Sequence, residues 1–236
     1  MIHPIRYYGD PVLRRRALPV TRFDDALARL ADDMIETMYD ATGVGLAAPQ
    51  IGVSKRLFVA LQLEPDAEEG EAGEAGEVGE AGEVGEVAEE LAGSDDEDRI
   101  PEDETPEQMR RRLGVIAEHV MVNPTFVVRE GVQHGQDGCL SVPGVYVDAL
   151  RRDLRVRVRY QDVGGGWHET DAEGHFAHVL QHEYDHLEGV LFFDRLEGDE
   201  RQAFLEEHRG ALADIQRQAK ALLKELRASP IPVSVQ

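Results

Sequence analysis

Two histidines separated by one helical turn have the clearest capacity for chemistry in this sequence. His182 and His186 flank Glu183 in a His-Glu-x-x-His pattern. On an α-helix, positions i and i+4 lie on one face, so both imidazoles could bind one divalent ion. The intervening carboxylate would then stand beside the ion as a general base. The pattern predicts a hydrolytic metal centre on a helix.

A catalytic metal centre of this kind requires a third protein ligand. His178 continues the histidine stripe, but it lies eight residues from His186. That separation is about 12 Å along a helix axis, too far for one ion to reach both. The longer pattern that ends in a third histidine is broken at Phe192. The remaining candidates are a carboxylate or the single thiol: Glu206, Glu207 and Cys139.

A run of small residues forms a further segment of interest, at residues 43–50 with the sequence GVGLAAPQ. Small side chains let a ligand approach the backbone closely, and Gln50 adds an amide donor. The run lacks the lysine of a phosphate-binding loop. Taken alone, it is interpreted as a helix cap followed by a tight turn, with Gly43 as the cap.

These residues must be positioned by helices and strands that hydrophobic periodicity predicts. Helices are expected over residues 23–41, 176–187 and 199–227. Strands are expected over residues 56–63, 120–122, 125–128, 145–147 and 154–160. Strands grouped between helices, without β-α-β alternation, favour an α+β fold. We expect antiparallel strands packed around the central metal-binding helix, with a long C-terminal helix.

The acidity of the chain is concentrated in one segment. The formal net charge is −22, and residues 64–107 hold 20 acidic residues and one basic residue. Glu recurs there at every third position from Glu71 to Glu86, between Gly and Ala or Val. Such composition favours disorder. Residues 1–236 are therefore predicted to form a single catalytic domain, interrupted by a disordered acidic insertion at 64–107.

Composition excludes several classes of protein. A net charge of −22 argues against a general nucleic-acid-binding protein and against docking on an anionic membrane. One cysteine permits no internal disulfide. The N-terminal residues lack the apolar stretch of a secretory signal, and no apolar run approaches the length of a membrane span. The sequence predicts a cytoplasmic protein.

Three ordered motifs together resemble the peptide deformylase family. The family pattern GxGxAAxQ is matched by residues 43–50, EGCLS by residues 137–141 (DGCLS), and the His-Glu-x-x-His motif by residues 181–186 (QHEYDH). Residues 1–63 and 109–195 are similar throughout. The resemblance implies the α+β fold of the family and hydrolysis of the formyl group from the N-terminal methionine of nascent polypeptides, with release of formate.

The resemblance also assigns roles to particular residues. It implies metal ligation by Cys139, His182 and His186, with Fe(2+) as the cellular metal and Zn(2+) or Ni(2+) as substitutes. It implies a metal-bound water as nucleophile and Glu183 as general acid and base. The Gln50 amide and the backbone N–H of Leu140 would hold the oxyanion. Substrate binding is expected from five residues near these groups: Gly43, Val44, Gly45, Gly138 and Val179.

Several departures from the family pattern bear on substrate preference. The usual Glu of the second motif is Asp137, which we expect to pair with Arg151. His175 and His178 replace residues that tend to be apolar in the family. Two other functions stay open: a non-catalytic deformylase-like binding protein, and a metallopeptidase with Glu206 or Glu207 as ligand. Two interpretations of the basic C-terminal helix stay open: it associates transiently with the ribosome, or its basic side chains form the solvent-exposed face of a packed helix.

Overall fold

The computed structural model describes residues 1–64 and 105–228, and it has the α+β fold predicted from the sequence. Its strands are β1 (Gly45–Ala47), β2 (Leu57–Leu63), β3 (Val115–Glu130), β4 (Gln133–Cys139), β5 (Val142–Arg152), β6 (Arg155–Gln161) and β7 (Trp167–Glu173). Its α-helices are α1 (Asp25–Asp40), α2 (Pro106–Arg112), α3 (Gly174–Glu188), α4 (Gly198–Glu207) and α5 (Arg209–Ala228). Short 3₁₀ segments occupy Pro11–Arg14, Ala48–Ile51 and Phe192–Arg195.

The strands form two antiparallel sheets. The larger sheet has the order β1-β2-β3-β6-β7, and β4 pairs only with β5 in the smaller one. This order leaves β1 at an edge, because it is bonded to β2 alone. The free edge of β1 lies in the small-residue segment 43–50, where the sequence predicts that a ligand can approach the backbone closely.

Strand β2 is buried on both faces, and its alternating side chains build two cores. Leu57, Val59 and Leu61 pack into the cluster that contains the apolar residues of α1. Phe58 and Ala60 point the other way, into the cluster that contains the apolar residues of α3. Because successive side chains of a strand alternate between faces, β2 separates α1 from α3. The motif helix therefore has a rigid sheet behind it.

The ends of helix α3 follow local sequence signals. Gly174 begins the helix with φ of 58°, and Gly189 follows its last residue with φ of 75°. Left-handed backbone of this kind favours glycine, which lacks a Cβ. The helix contains the predicted segment 176–187 and adds residues at both ends. For α1, the left-handed residue after the helix is Thr42, with φ of 52°, and not the predicted cap Gly43.

The predicted long C-terminal helix is two helices. Helix α4 ends at Glu207, and α5 begins at Arg209 after the intervening His208. The break lies two residues before Gly210, a poor helix former. Buried side chains from both helices pack with the 3₁₀ segment and β5 in a third core cluster: Phe204, Leu212, Ile215, Phe192 and Phe193.

The sequence predicts no strand at β1, β4 or β7, and two predicted strands are one. Strand β1 lies in the small-residue segment that was interpreted as a helix cap and a tight turn. Strands β4 and β7 carry mainly polar side chains and lack the apolar alternation that marks a strand. The predicted strands 120–122 and 125–128 are continuous within β3, where the register shifts between Val122 and Thr125. Asn123 adopts a φ of 51° within this irregularity.

Most of the predicted acidic insertion, residues 65–104, lies outside the described residues. Among its last residues, Thr105 caps α2 and accepts a hydrogen bond from the N–H of Gln108. Proline at the first helical position and a capping residue before it are typical helix-start signals. Across the described part of the chain, none of the helices has the length and apolar character that crossing a membrane requires.

Candidate metal centre and cleft

Three side chains converge at the base of a cleft. The Sγ of Cys139 lies 3.2 Å from Nε2 of His186, and the Nε2 atoms of His186 and His182 are 3.2 Å apart. Both histidines are buried on α3, and Cys139 ends strand β4. The helix brings the two imidazoles together through their i, i+4 spacing, whereas the β4–β5 hairpin brings the thiol to them.

This donor set fits a divalent transition metal. Ligand bonds of about 2.0–2.3 Å at tetrahedral angles separate two donor atoms by roughly 3.3–3.6 Å. The observed separations of 3.2 Å are close to that spacing. A thiolate with two imidazoles suits zinc, iron or nickel better than magnesium or calcium, which prefer oxygen. Among the described residues, the side chains of Cys139, His182 and His186 form a group that is able to hold a metal ion.

Asp137 lies directly behind the metal-binding group. Its Oδ1 accepts a hydrogen bond of 2.6 Å from Nδ1 of His182, and its side chain is almost wholly buried. Burial alone would raise the carboxyl pKa, but the neighbouring His182, His178 and Arg152 hold that pKa well below its usual range. A carboxylate at this position orients the imidazole and makes it a better ligand.

The arginine that pairs with Asp137 is Arg152, and the predicted partner Arg151 is exposed. Arg152 donates from one nitrogen to Asp137 at 2.7 Å and from another to Asp185 at 2.6 Å. Strict alternation from Val147 would turn residue 151 inward. The register between β4 and β5 shifts near Asp137, however, and turns residue 152 inward instead.

Glu183 occupies the position expected of a general base. It lines the cleft, and its Oε2 is buried without a hydrogen-bond partner among the described residues. Burial raises the carboxyl pKa to about 7. A carboxyl group whose pKa lies near neutrality can both accept and return a proton. A Cβ at Gly45 would overlap this carboxylate, so the glycine leaves the space that Glu183 occupies.

A hydrogen bond to the side-chain oxygen of Gln50 fixes the orientation of its amide beside the metal-binding group. Its Oε1 accepts the backbone N–H of Ala47 at 2.7 Å. Its Nε2 lies 3.3 Å from the hydroxyl of Ser141 and 3.6 Å from Sγ of Cys139. Because the oxygen is already engaged, the amide presents N–H donors toward the cleft. This placement is consistent with the oxyanion role predicted for Gln50.

The cleft has a volume of about 310 Å³. It is lined by all the other predicted substrate and oxyanion residues: Gly43, Val44, Gly45, Gly138, Leu140 and Val179. Sequence reasoning did not single out Tyr146, which also lines the cleft. Its ring lies against Gly138, where a Cβ would stand 2.5 Å from a ring carbon. Tyr146 lies opposite Gly138 in the β4–β5 register, a pairing between strands that local sequence patterns do not predict.

The carboxylates considered for a metallopeptidase do not reach this centre. Glu206 and Glu207 are exposed at the end of α4. Glu206 forms an ion pair with Arg209 at the surface. Of the three candidates for the third ligand, the structure brings Cys139 alone to the two histidines.

Comparison with known proteins gives consistent matches. The family described as polypeptide deformylase matches residues 2–202 of this chain. A peptide deformylase of Thermus thermophilus is 45% identical over 229 residues, which cover 96% of this chain and 98% of that relative.

Solved structures agree in fold as well as in sequence. The crystal structure of peptide deformylase from Thermus thermophilus superposes with a TM-score of 0.69 at 41% identity, covering 92% of this chain and 99% of that chain. A peptide deformylase from Synechococcus elongatus, solved in complex with actinonin, gives a TM-score of 0.59 at 32% identity, over 87% and 86% of the two chains.

Proposed function

Because this chain belongs to the peptide deformylase family, we propose that it hydrolyses the formyl group from the N-formyl-methionyl end of nascent polypeptides and releases formate. The observation that carries the proposal is the unpartnered carboxylate oxygen of Glu183, which lies in the cleft beside the Cys139, His182 and His186 group. The amide of Gln50 is directed at the same place.

We propose Cys139, His182 and His186 as the ligands of one divalent metal. Fe(2+) is the expected cellular ion, and Zn(2+) or Ni(2+) would replace it after purification in air. When bound, the ion supplies Lewis-acid chemistry that polarises the formyl group and lowers the pKa of water. Metal analysis of protein purified without oxygen tests the identity of the ion.

The side chains around the ligands supply the remaining steps. Glu183 accepts a proton from the attacking water as the oxygen bonds to the formyl carbon. Negative charge on the formyl oxygen is stabilised by the Gln50 amide and the backbone N–H of Leu140. Glu183 then returns the proton to the departing amine nitrogen, and the C–N bond breaks. Water and the formylated amine are converted to formate and a protonated amine, because the amine takes up the proton that formic acid releases, so atoms and charge balance.

The substrate chain would lie in an extended form along the open edge of β1. Backbone groups at Gly43 and Gly45 would bond to the peptide backbone as an added strand, which makes binding tolerant of varied sequences. Gly138 would contact the peptide from the β4 side. Val44 is half-buried and Val179 is buried at the cleft, and both are proposed to contact the methionine side chain.

We assign the protein to the cytoplasm, where nascent chains carry the substrate. Transient ribosome contact, and the absence of sequence-specific nucleic-acid binding, stay predictions. Removing the chain from Asp199 onward and measuring co-sedimentation with ribosomes tests the contact. Retained co-sedimentation would contradict a role for the C-terminal helices.

Formate release from a formyl-methionyl peptide tests the function. Glu183→Gln keeps the volume of the side chain and removes the base, so we expect a loss of about 10²- to 10⁴-fold at unchanged metal content. Equal rates would contradict the mechanism. A metal-loaded wild type that releases no formate would instead favour a non-catalytic binding protein. Cleavage of internal bonds in unformylated peptides would favour a metallopeptidase.

A further inference from the structure

Two histidines on one face of α3 approach the two oxygens of the Asp137 carboxylate. Nδ1 of His182 lies 2.6 Å from Oδ1, and Nε2 of His178 lies 3.0 Å from Oδ2. The histidines are four residues apart, so they occupy adjacent turns of the same helix face. Each oxygen of the Asp137 carboxylate on β4 therefore contacts one histidine of α3.

The contact of His178 accounts for an otherwise isolated buried nitrogen. Only 9% of His178 is exposed, and its Nε2 forms no hydrogen bond of good geometry within the described residues. Its 3.0 Å contact with Oδ2 of Asp137 is within the distance of an ion pair but lacks the geometry of a hydrogen bond. A buried polar nitrogen is costly unless it is paired, so the neighbouring carboxylate oxygen is its natural acceptor.

We propose that His178 is a positioning residue that fixes the Asp137 carboxylate and, through it, the imidazole of His182 for metal binding. The inference rests on the proposed metal site and deepens it. His178 is not itself a ligand, because the group that could hold the ion comprises other side chains.

The need for such a contact follows from the shape of the aspartate. Its carboxylate rotates about a single terminal bond, and its plane is set by the donors at each oxygen. Arg152 supplies one donor to Oδ2, but its other terminal nitrogen is engaged by Asp185. A second polar contact at Oδ2, from a residue on the same helix as His182, ties the orientation of the carboxylate to the helix that carries two of the metal ligands.

The contact joins a short acidic side chain on β4 to a polar side chain on α3. Aspartate is one methylene shorter than glutamate, and the Asp137 carboxylate meets Nε2 of His178 at 3.0 Å. The histidine thus supplies a contact from the helix side to a carboxylate that reaches less far from its strand than a glutamate would.

Zinc affinity of the metal-free full-length protein tests the inference, measured by competition with a chelator. His178→Leu removes the nitrogen, and we expect affinity to fall about tenfold, as for other groups that hold a ligand in place. His178→Gln keeps an N–H donor at similar reach and should stay within about threefold of wild type. The matched control is His168→Leu, which removes an exposed histidine paired with Asp162 on the β6–β7 hairpin and should leave affinity unchanged.

Equal affinity in wild type and His178→Leu would overturn the inference. An equal loss in the Leu and Gln variants would overturn it as well, because the N–H donor would then be irrelevant. The absorption spectrum of the Co(2+)-substituted protein gives a second readout, since it reports ligand geometry independently of turnover. We expect a changed spectrum in His178→Leu and a retained spectrum in His178→Gln.

A double-mutant cycle tests the link between the length of the acidic side chain at position 137 and His178. In an Asp137→Glu background, His178→Leu should cost less zinc affinity than it does beside the native aspartate. Strictly additive effects would overturn the link. Failure of the proposed function would look different: the wild type would release no formate, whereas the dependence of zinc affinity on His178 would persist.

Discussion

Gly45 of β1 and Glu183 of α3 lie so close together that a methyl group at position 45 would overlap the carboxylate. Strand β1 belongs to the sheet that backs α3, so neither element can withdraw without disturbing the core. The Glu183 carboxylate can occupy its position only because residue 45 of the neighbouring strand has no side chain.

The first prediction follows from this relationship. Gly45→Ala should displace the Glu183 carboxylate and lower formate release by about 10²-fold, since small misplacement of a catalytic group has effects of that size. Gly210→Ala is the matched control, because a Cβ there meets no atom within 4 Å. Steady-state assays at equal metal content check both. Full activity in Gly45→Ala would show that the carboxylate tolerates displacement.

The second prediction concerns the thiol ligand. Cys139→Ser should reduce zinc affinity by more than the roughly tenfold expected from removing a group behind a ligand, because serine offers no thiolate. Glu206→Gln should leave zinc affinity unchanged, since Glu206 is exposed and paired with Arg209. Chelator competition measures both variants. Unchanged affinity in Cys139→Ser would remove Cys139 from the ligand set.

The third prediction separates two adjacent arginines. Arg152→Met leaves Asp137 and Asp185 without a shared buried cation, and should lower the free energy of unfolding by about 3–5 kcal/mol. Arg151→Met changes an exposed side chain and should stay within about 0.5 kcal/mol of wild type. Urea unfolding of the metal-free proteins compares them. A larger effect at position 151 would contradict the observed register of β5.

The fourth prediction concerns alkaline pH. Burial and a 2.5 Å hydrogen bond to Glu118 raise the pKa of Tyr39 to about 12, although Arg110 opposes the shift. The unfolded chain has a tyrosine pKa of about 10. The neutral phenol therefore contributes stability that is fully present below pH 10 and is lost as the pH rises toward 12.

Tyr39→Phe is the control for this titration, because phenylalanine cannot ionise. The stability of wild type relative to Tyr39→Phe should be constant below pH 10 and should fall between about pH 10 and pH 12. Chemical unfolding across this range measures the difference. A difference that does not vary with pH would show that Tyr39 ionises alike in the folded and unfolded chains.

The features that depend on local backbone geometry follow from the amino-acid sequence alone. His182 and His186 share a helix face because they are four residues apart, and Glu183 follows from the same pattern. The helical segment 176–187 was predicted from apolar periodicity and lies within α3. The acidic segment was evident from composition, although most of it lies outside the described residues.

Which distant residues contact this helix depends on how the strands pair and pack in three dimensions. Cys139 was one of three possible third ligands from spacing alone, and the family resemblance singled it out before the β4–β5 hairpin placed it beside His186. Arg152, and not Arg151, pairs with Asp137 because a register shift reverses the side-chain alternation of β5. The contact between Asp137 and His178 likewise depends on how the hairpin packs against α3. Helical spacing repeats over a few residues, whereas strand register and hairpin packing are set by contacts between segments far apart in the chain.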